Sequence, residues 1–157
     1  MKILISYASK TGTAKACATR LSELVEGSEL CDLTEKTPDI SAYDGVIVGC
    51  GIRMGRFHKS ARKFIAQNAS DLKKKTFGVF ICNGFAQYEE YFKNEFSDGE
   101  LDGAIKASFG GELELEKLKG TDKFIAKMVA KGDTPLPQIN YEAIEEFADK
   151  FAKAVKI

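Results

Sequence analysis

The 157 residues suffice for one domain with a sizeable core and are too few for two ordinary ones. Hydrophobic residues make up 44% and charged residues 29%, the profile of a folded globular chain and not of a disordered one. Basic and acidic residues balance at 23 each, so no overall field favours nucleic acid or an anionic membrane.

A short apolar run, Lys2–Tyr7, opens the chain and reads as a first strand. A hydroxyl-rich stretch follows, Ser9-Lys10-Thr11-Gly12-Thr13-Ala14-Lys15, and leads into an amphipathic helix over Thr13–Glu26. Cys17, Ala18, Leu21, Leu24 and Val25 are expected on its buried face. Further strands are expected at Ser28–Leu33, Gly45–Cys50, Thr76–Cys82 and Lys106–Gly110. Helical patterns fall at His58–Asn68 and Gln87–Phe96, and two more follow the last strand at Asp122–Lys131 and Tyr141–Lys156. The final helix is the clearest, with Ile144, Phe147, Ala148, Phe151 and Val155 at helical spacing.

Gly45–Cys50 and Phe77–Cys82 are apolar almost throughout instead of alternating. Strands buried on both faces read that way, and their alternation with helices implies a parallel sheet covered on both sides. Gly132–Pro137 is a turn-rich connector, so residues 1–157 are expected to form a single α/β domain. The four cysteines form no C-x-x-C pair and have no histidine partners at metal spacing, which points to buried, reduced thiols. No secretory signal opens the sequence and no apolar run approaches the ~18 residues of a membrane span, so a cytoplasmic location is expected. The helix over Asp122–Lys131 interleaves apolar residues with lysines; packing on the sheet explains it more simply than contact with a membrane surface.

In an open parallel sheet, ligands bind beyond the carboxyl ends of the strands, where the strand order reverses. Three segments there are unusual. After strand one, Ser9, Thr11 and Thr13 can donate hydrogen bonds and Gly12 permits close backbone approach, beside the unpaired N–H groups of a helix start; the set fits a phosphate. A plain helix cap would need only one hydroxyl. After strand three, Gly49, Gly51 and Gly55 suggest unusual dihedrals or close approach to a flat ligand, and Ile52 and Met54 are apolar where a plain turn would be polar. After strand four, Asn83, Gly84, Phe85, Ala86, Gln87 and Tyr88 combine a glycine with aromatics able to flank a planar ring. His58, the only histidine, is either a general acid–base group or a surface residue at a helix start. Arg53, Arg56, Lys59, Arg62 and Lys63 cluster with no acidic residue between Asp44 and Asp71. They form either a rim that steers an anionic partner or a solvated helix face.

These residues resemble the flavodoxin family over nearly the whole chain. The resemblance implies a flavodoxin-like three-layer sandwich: a five-stranded parallel sheet, order 2-1-3-4-5, with helices on both faces. It implies FMN as cofactor. Ser9, Lys10, Thr11, Gly12, Thr13 and Ala14 would hold its phosphate. Gly51, Ile52, Arg53, Met54 and Gly55 would line one side of the isoalloxazine, and Asn83, Gly84, Phe85 and Tyr88 the other. The chain departs from the family at Ala14, where threonine is usual, and has no tryptophan for the second loop.

Val46–His58 and Asp122–Met128 are similar to segments of the flavodoxin-like protoporphyrinogen dehydrogenases, which use FMN and a quinone acceptor. Most of the long basic insertion of that group is missing. The implied activity is an FMN-dependent oxidoreductase acting on a small, quinone or porphyrinogen-like substrate, with Arg53, Arg56 and His58 as candidates for substrate contact. The alternative is a non-catalytic flavodoxin-type carrier between protein partners. Carriers of that type are strongly acidic, and this chain is not. A receiver domain is excluded, since its acidic cluster and its aspartate are replaced by Tyr7-Ala8-Ser9 and Cys50; neither a dinucleotide nor an ATP phosphate-loop motif is present.

Overall fold

The computed structural model describes residues 1–9, 12–53, 56–82, 92–93, 96, 101, 103–110 and 139–155, the side chain of Arg53 apart. Its elements in chain order are β1 (Ile3–Ala8), α1 (Thr13–Leu24), β2 (Ser28–Asp32), β3 (Gly45–Arg53), β4 (Arg56–Phe57), α2 (Lys59–Gln67), α3 (Ala69–Leu72), β5 (Thr76–Cys82), β6 (Ile105–Ser108) and α4 (Tyr141–Val155). Five strands pair in parallel in the order β2-β1-β3-β5-β6. With the two-residue β4 set aside, this is the expected 2-1-3-4-5 order.

The nearly continuous apolar runs have the predicted cause, because β1, β3 and β5 are buried on both faces. Leu4, Ala8, Val46, Val48, Cys50, Phe77, Val79 and Ile81 join one core with Ala61, Phe64 and Ile65 of α2. Ile3, Ile5, Tyr7, Ile47, Phe80 and Cys82 join the other with α1 and α4. Ser6 is the buried polar residue of β1, and its hydroxyl donates to the carbonyl of Ile47 at 2.9 Å. The result is three layers, helix over sheet over helix.

On the α4 side the core is aromatic. Phe80 stacks on Phe109 at 4.7 Å between centroids, and Phe109 meets Phe147 edge-on at 5.5 Å. Three glycines make room for these rings. A Cβ on Gly45 would come within 2.9 Å of Phe151, one on Gly78 within 2.6 Å of Phe147, and one on Gly49 within 1.9 Å of Phe80. Phe147 joins the sheet to α4 and is 2% exposed. Phe147→Ala is therefore expected to lower unfolding free energy by about 3–5 kcal/mol, read from chemical denaturation.

Several boundaries shift for local reasons. α1 ends at Leu24, not Glu26, because Val25 is extended and Gly27 turns the chain at φ 79°; Leu24 is 38% exposed and lies off the buried face assigned to it. The last strand occupies Ile105–Ser108 instead of Lys106–Gly110. α4 is capped by Asn140, whose side-chain oxygen accepts the Ala143 N–H at 3.0 Å. Two short elements were not anticipated, α3 and the hairpin arm β4. The helix expected over Gln87–Phe96 falls mostly outside the described residues, although Phe92 and Phe96 pack edge-on against Phe57. The helix expected over Asp122–Lys131 lies outside them.

At the amino end of the sheet a polar knot ties β1, β2 and β3 together. The Tyr43 hydroxyl donates to Glu29 at 2.6 Å, the Lys2 N–H donates to Asp44 at 2.9 Å, and Lys75 Nζ donates to the Tyr43 carbonyl at 2.7 Å. The bond to Glu29, and then burial, push the Tyr43 hydroxyl from 10.0 up to about 12. The folded state thus holds this proton more tightly than the unfolded state. Its contribution is complete below pH 10.0 and is lost as pH climbs towards about 12. Thermal unfolding should show a decline across that window that Tyr43→Phe flattens.

Candidate functional site

The strand order reverses between β1 and β3, since β2 lies on the far side of β1. Parallel pairing brings the carboxyl ends level: Ala8 sits opposite Cys50, and Gly51 opposite Cys82. The three segments singled out from the sequence therefore leave neighbouring strands at one edge, the crevice where open α/β sheets bind ligands.

The β1–α1 connection is built for an anion. Gly12 is the N-cap of α1 at φ 95°, ψ −8°, a left-handed conformation that a side chain would strain. Having no side chain, it leaves the helix without a side-chain cap, and no acidic residue occupies the first turn. The dipole and N–H groups of that turn are therefore not offset by a carboxylate within it. Ser9 accepts the Gly12 N–H on Oγ at 2.9 Å, which closes the loop back on β1. The single-hydroxyl N-cap considered from the sequence is not what forms, because the capping position is glycine. Ala14, which stands where a third threonine was looked for, is 1% exposed and packs into the core beside Cys17 and Ala18. Lys10 and Thr11 lie outside the described residues.

The second segment differs from its sequence reading. β3 continues three residues beyond Cys50, through Gly51, Ile52 and Arg53, and then pairs antiparallel with β4, Ile52 opposite Phe57 and Arg53 opposite Arg56. Ile52 is a half-buried strand residue packed on the α2-side core, which accounts for its apolar character without a ligand. Neither Gly49 nor Gly51 has a positive φ, so unusual dihedrals are not their purpose. Gly49 yields its space to Phe80. Gly51 is different: a Cβ there would meet nothing within 4 Å among the described residues, so no described side chain covers the backbone there. Met54 and Gly55 lie outside the described residues, as do Asn83, Gly84, Phe85 and Tyr88.

His58 is the N-cap of α2, its Nδ1 accepting the Ser60 N–H at 3.1 Å. That bond needs an unprotonated Nδ1 and gives the residue a structural task at a half-buried position. Of the basic cluster, Arg56, Lys59 and Lys63 are exposed, whereas Arg62 is half-buried with its guanidinium 4.5 Å from the centre of the Phe96 ring. That fits a cation–π contact better than a free rim charge. A hollow of 130 Å³ between α2 and the β2–β3 connection is lined by Leu33, Thr37, Ser60, Lys63, Phe64 and Gln67. It is too small for a cofactor, whose pockets run to about 300–1,000 Å³.

All four cysteines are buried and unlinked. What their sequence spacing did not reveal is that Cys17 of α1 and Cys82 of β5 meet under the crevice, the Cys82 thiol donating to Cys17 Sγ at 3.5 Å. That hydrogen bond, and then burial, hold the Cys82 thiol well above its usual range. Burial, followed by the charges of Asp32 and Glu35, likewise raises Tyr7 at the end of β1. No described helix is long and apolar enough to cross a membrane.

Comparison with known proteins agrees with this geometry. Over 172 residues the chain is 24% identical to the protoporphyrinogen IX dehydrogenase (quinone) of Escherichia coli K12, covering 97% of this chain and 95% of that protein. The rubredoxin oxygen:oxidoreductase of the anaerobe Desulfovibrio gigas superposes with a TM-score of 0.65 at 16% identity. That match covers 99% of this chain but 36% of the larger protein, so the chain corresponds to about a third of its length. A Fusobacterium nucleatum flavodoxin bound to flavin mononucleotide superposes at 0.56 with 12% identity, over 98% and 99% of the two chains. The flavodoxin domain model itself matches residues 4–136, and on that extent the chain belongs to the flavodoxin domain family.

Proposed function

We propose that the chain binds FMN at the crevice and acts as an oxidoreductase on a quinone or porphyrinogen-like substrate. The observation that carries the FMN reading is the β1–α1 connection, a left-handed glycine cap over a helix start with no acidic residue. The residues fit the group. Ser9, Gly12, Thr13 and the N–H groups that follow would hold the phosphate, with Lys10 and Thr11 completing the loop. Ala14 contributes its N–H while its methyl faces the core. The backbone at Gly51, with Ile52 to Gly55, would line one side of the ring, and Asn83 to Tyr88 the other.

FMN supplies the acceptance and release of electrons or hydride; the protein orients it and limits which molecules reach its edge. Arg56 is exposed on β4, paired with Arg53 of β3 along the backbone, and would attract an anionic substrate. His58 caps α2 through Nδ1, which holds its ring at the start of that helix beside β4. What supports an enzyme over a carrier is the match to protoporphyrinogen IX dehydrogenase along nearly the full length of both chains. The balanced charge also lacks the acidic surface expected of a carrier.

The test is turnover. FMN-loaded protein should oxidise protoporphyrinogen IX with a quinone acceptor over many cycles, and Arg56→Ala should raise KM more than it lowers kcat. Stoichiometric electron exchange with protein partners, and no turnover with small molecules, would establish a carrier instead.

A further inference from the structure

The family reading leaves the Cys17–Cys82 pair without a task. Two thiols held 3.5 Å apart inside a fold are unusual for their partners as much as for their distance: one belongs to α1, the other to the last position of β5. Cys17 lies one helical turn after Thr13, on the same face of α1. Cys82 immediately precedes Asn83, the first residue of the segment proposed to cover the ring. The pair therefore stands at the junction of the phosphate half and the ring half of the site. Cys50, by contrast, faces the α2-side core, and Cys31 sits on the edge strand β2.

We infer that Cys17 and Cys82 are a redox-modification site: a peroxide converts them to an intramolecular disulfide in the folded protein, and the closed form binds FMN more weakly. The second clause rests on the FMN reading given above; the first does not.

The chemistry balances. One sulfur, as thiolate, attacks a peroxide oxygen; the O–O bond breaks, an S–O bond forms, and the departing hydroxide takes up that thiol's proton as water. The second sulfur attacks the first, the S–S bond forms, the S–O bond breaks, and the second thiol proton leaves in a second water. Two electrons pass from sulfur to oxygen. Both thiols are shut away from solvent, Cys17 at 0% and Cys82 at 7% exposure, so peroxide reaches them only as the structure opens locally, and the first step is slow and answers sustained oxidant, not a transient.

Closing the gap from 3.5 Å to a bonded S–S length draws α1 and the end of β5 together by about 1.5 Å, less whatever the two side chains absorb by rotation. FMN would be gripped at both ends by those elements, and a shift near 1 Å misaligns one end's hydrogen bonds, so a loss of at least about tenfold in affinity is expected.

The experiment treats the full-length wild type with hydrogen peroxide, quenches free thiols with an alkylating reagent, maps the disulfide by peptide mass, and titrates FMN into the reduced and oxidised forms. The expected results are one Cys17–Cys82 disulfide, loss of two hydrogens in mass, and a Kd for FMN at least about tenfold higher than in the reduced form, restored by dithiothreitol. Cys17→Ala and Cys82→Ala should each abolish the disulfide and make the Kd indifferent to peroxide; mapping of the wild type decides the matter if either variant fails to fold. A different cysteine pairing, overoxidation without a disulfide, or equal affinities of the two forms would overturn the inference. Reduced protein that takes up no FMN would instead remove the proposed cofactor, and the coupling with it, while the mapped disulfide stands or falls separately.

Discussion

Gly49→Ala is expected to be among the most damaging single-methyl additions to this chain. The new Cβ would lie 1.9 Å from Phe80 Cζ and within 2.3 Å of both neighbouring ring carbons. Phe80 is fully buried and cannot swing aside, since Phe109 stacks on it and Phe147 closes its edge at 6.5 Å. Overpacking of a tight core costs about 1–3 kcal/mol, and a rigid ring meeting backbone-borne carbon puts this case at or above the top of that range. Chemical denaturation should show the loss. The double variant Gly49→Ala with Phe80→Leu should recover part of it, because the clash is removed while a large side chain still fills the space. A loss under half a kilocalorie in the single variant would mean that the ring does not lie where the structure places it.

The second large effect concerns the cofactor. Replacing both Thr11 and Thr13 with glutamate should abolish measurable FMN uptake while leaving the circular dichroism and unfolding midpoint nearly unchanged. Each carboxylate would face a phosphate dianion at a site where the chain places no acidic residue in the first turn of α1. Like charges a few ångströms apart at a half-exposed site repel by about 1–4 kcal/mol per pair, so two carboxylates together weaken binding by at least about thirtyfold. The fold should tolerate the change, because acidic residues are favoured at a helix N-terminus for the same reason that a phosphate is. Thr11→Ser with Thr13→Ser keeps the hydroxyls and should bind FMN nearly as the wild type does.

The parts of the fold that depend on local sequence were legible from it. The bounds of β5 match the expected Thr76–Cys82, because the six residues Phe77–Cys82 form an uncharged run that is buried throughout, as a strand covered on both faces requires. The last helix was read with its four buried residues, Ile144, Phe147, Ala148 and Phe151, since charges fill the opposite face. The hairpin was not legible. Arg56-Phe57 is too short for a period to show, and Phe57 counts as a core residue only because Phe92 and Phe96 arrive from about forty residues downstream.

The glycines of strand three mark a second boundary of what the sequence can say. Gly49 and Gly51 look alike in the chain, yet one makes room for a neighbouring ring and the other is covered by no described side chain. Only the register that sets Gly49 opposite Phe80 separates a packing glycine from one at a ligand crevice. The cysteines follow the same rule. Cys17 and Cys82 are separated by 65 positions and carry no motif, so their contact exists only once α1 lies on β5. Recognition of the site from sequence therefore rests on three local segments, the loop from Ser9 to Ala14 and the glycine-bearing stretches after strands three and four, while the sheet register sets their strand ends level.

Titration of the purified, reduced apoprotein with FMN asks whether this sheet edge holds the cofactor. Saturable uptake of one FMN per chain, quenching of flavin fluorescence and a yellow protein after desalting are expected, with loss of all three in the Thr11/Thr13 glutamate variant. Flavin fluorescence that stays unquenched at equimolar protein, with no colour retained after desalting, would contradict FMN binding there.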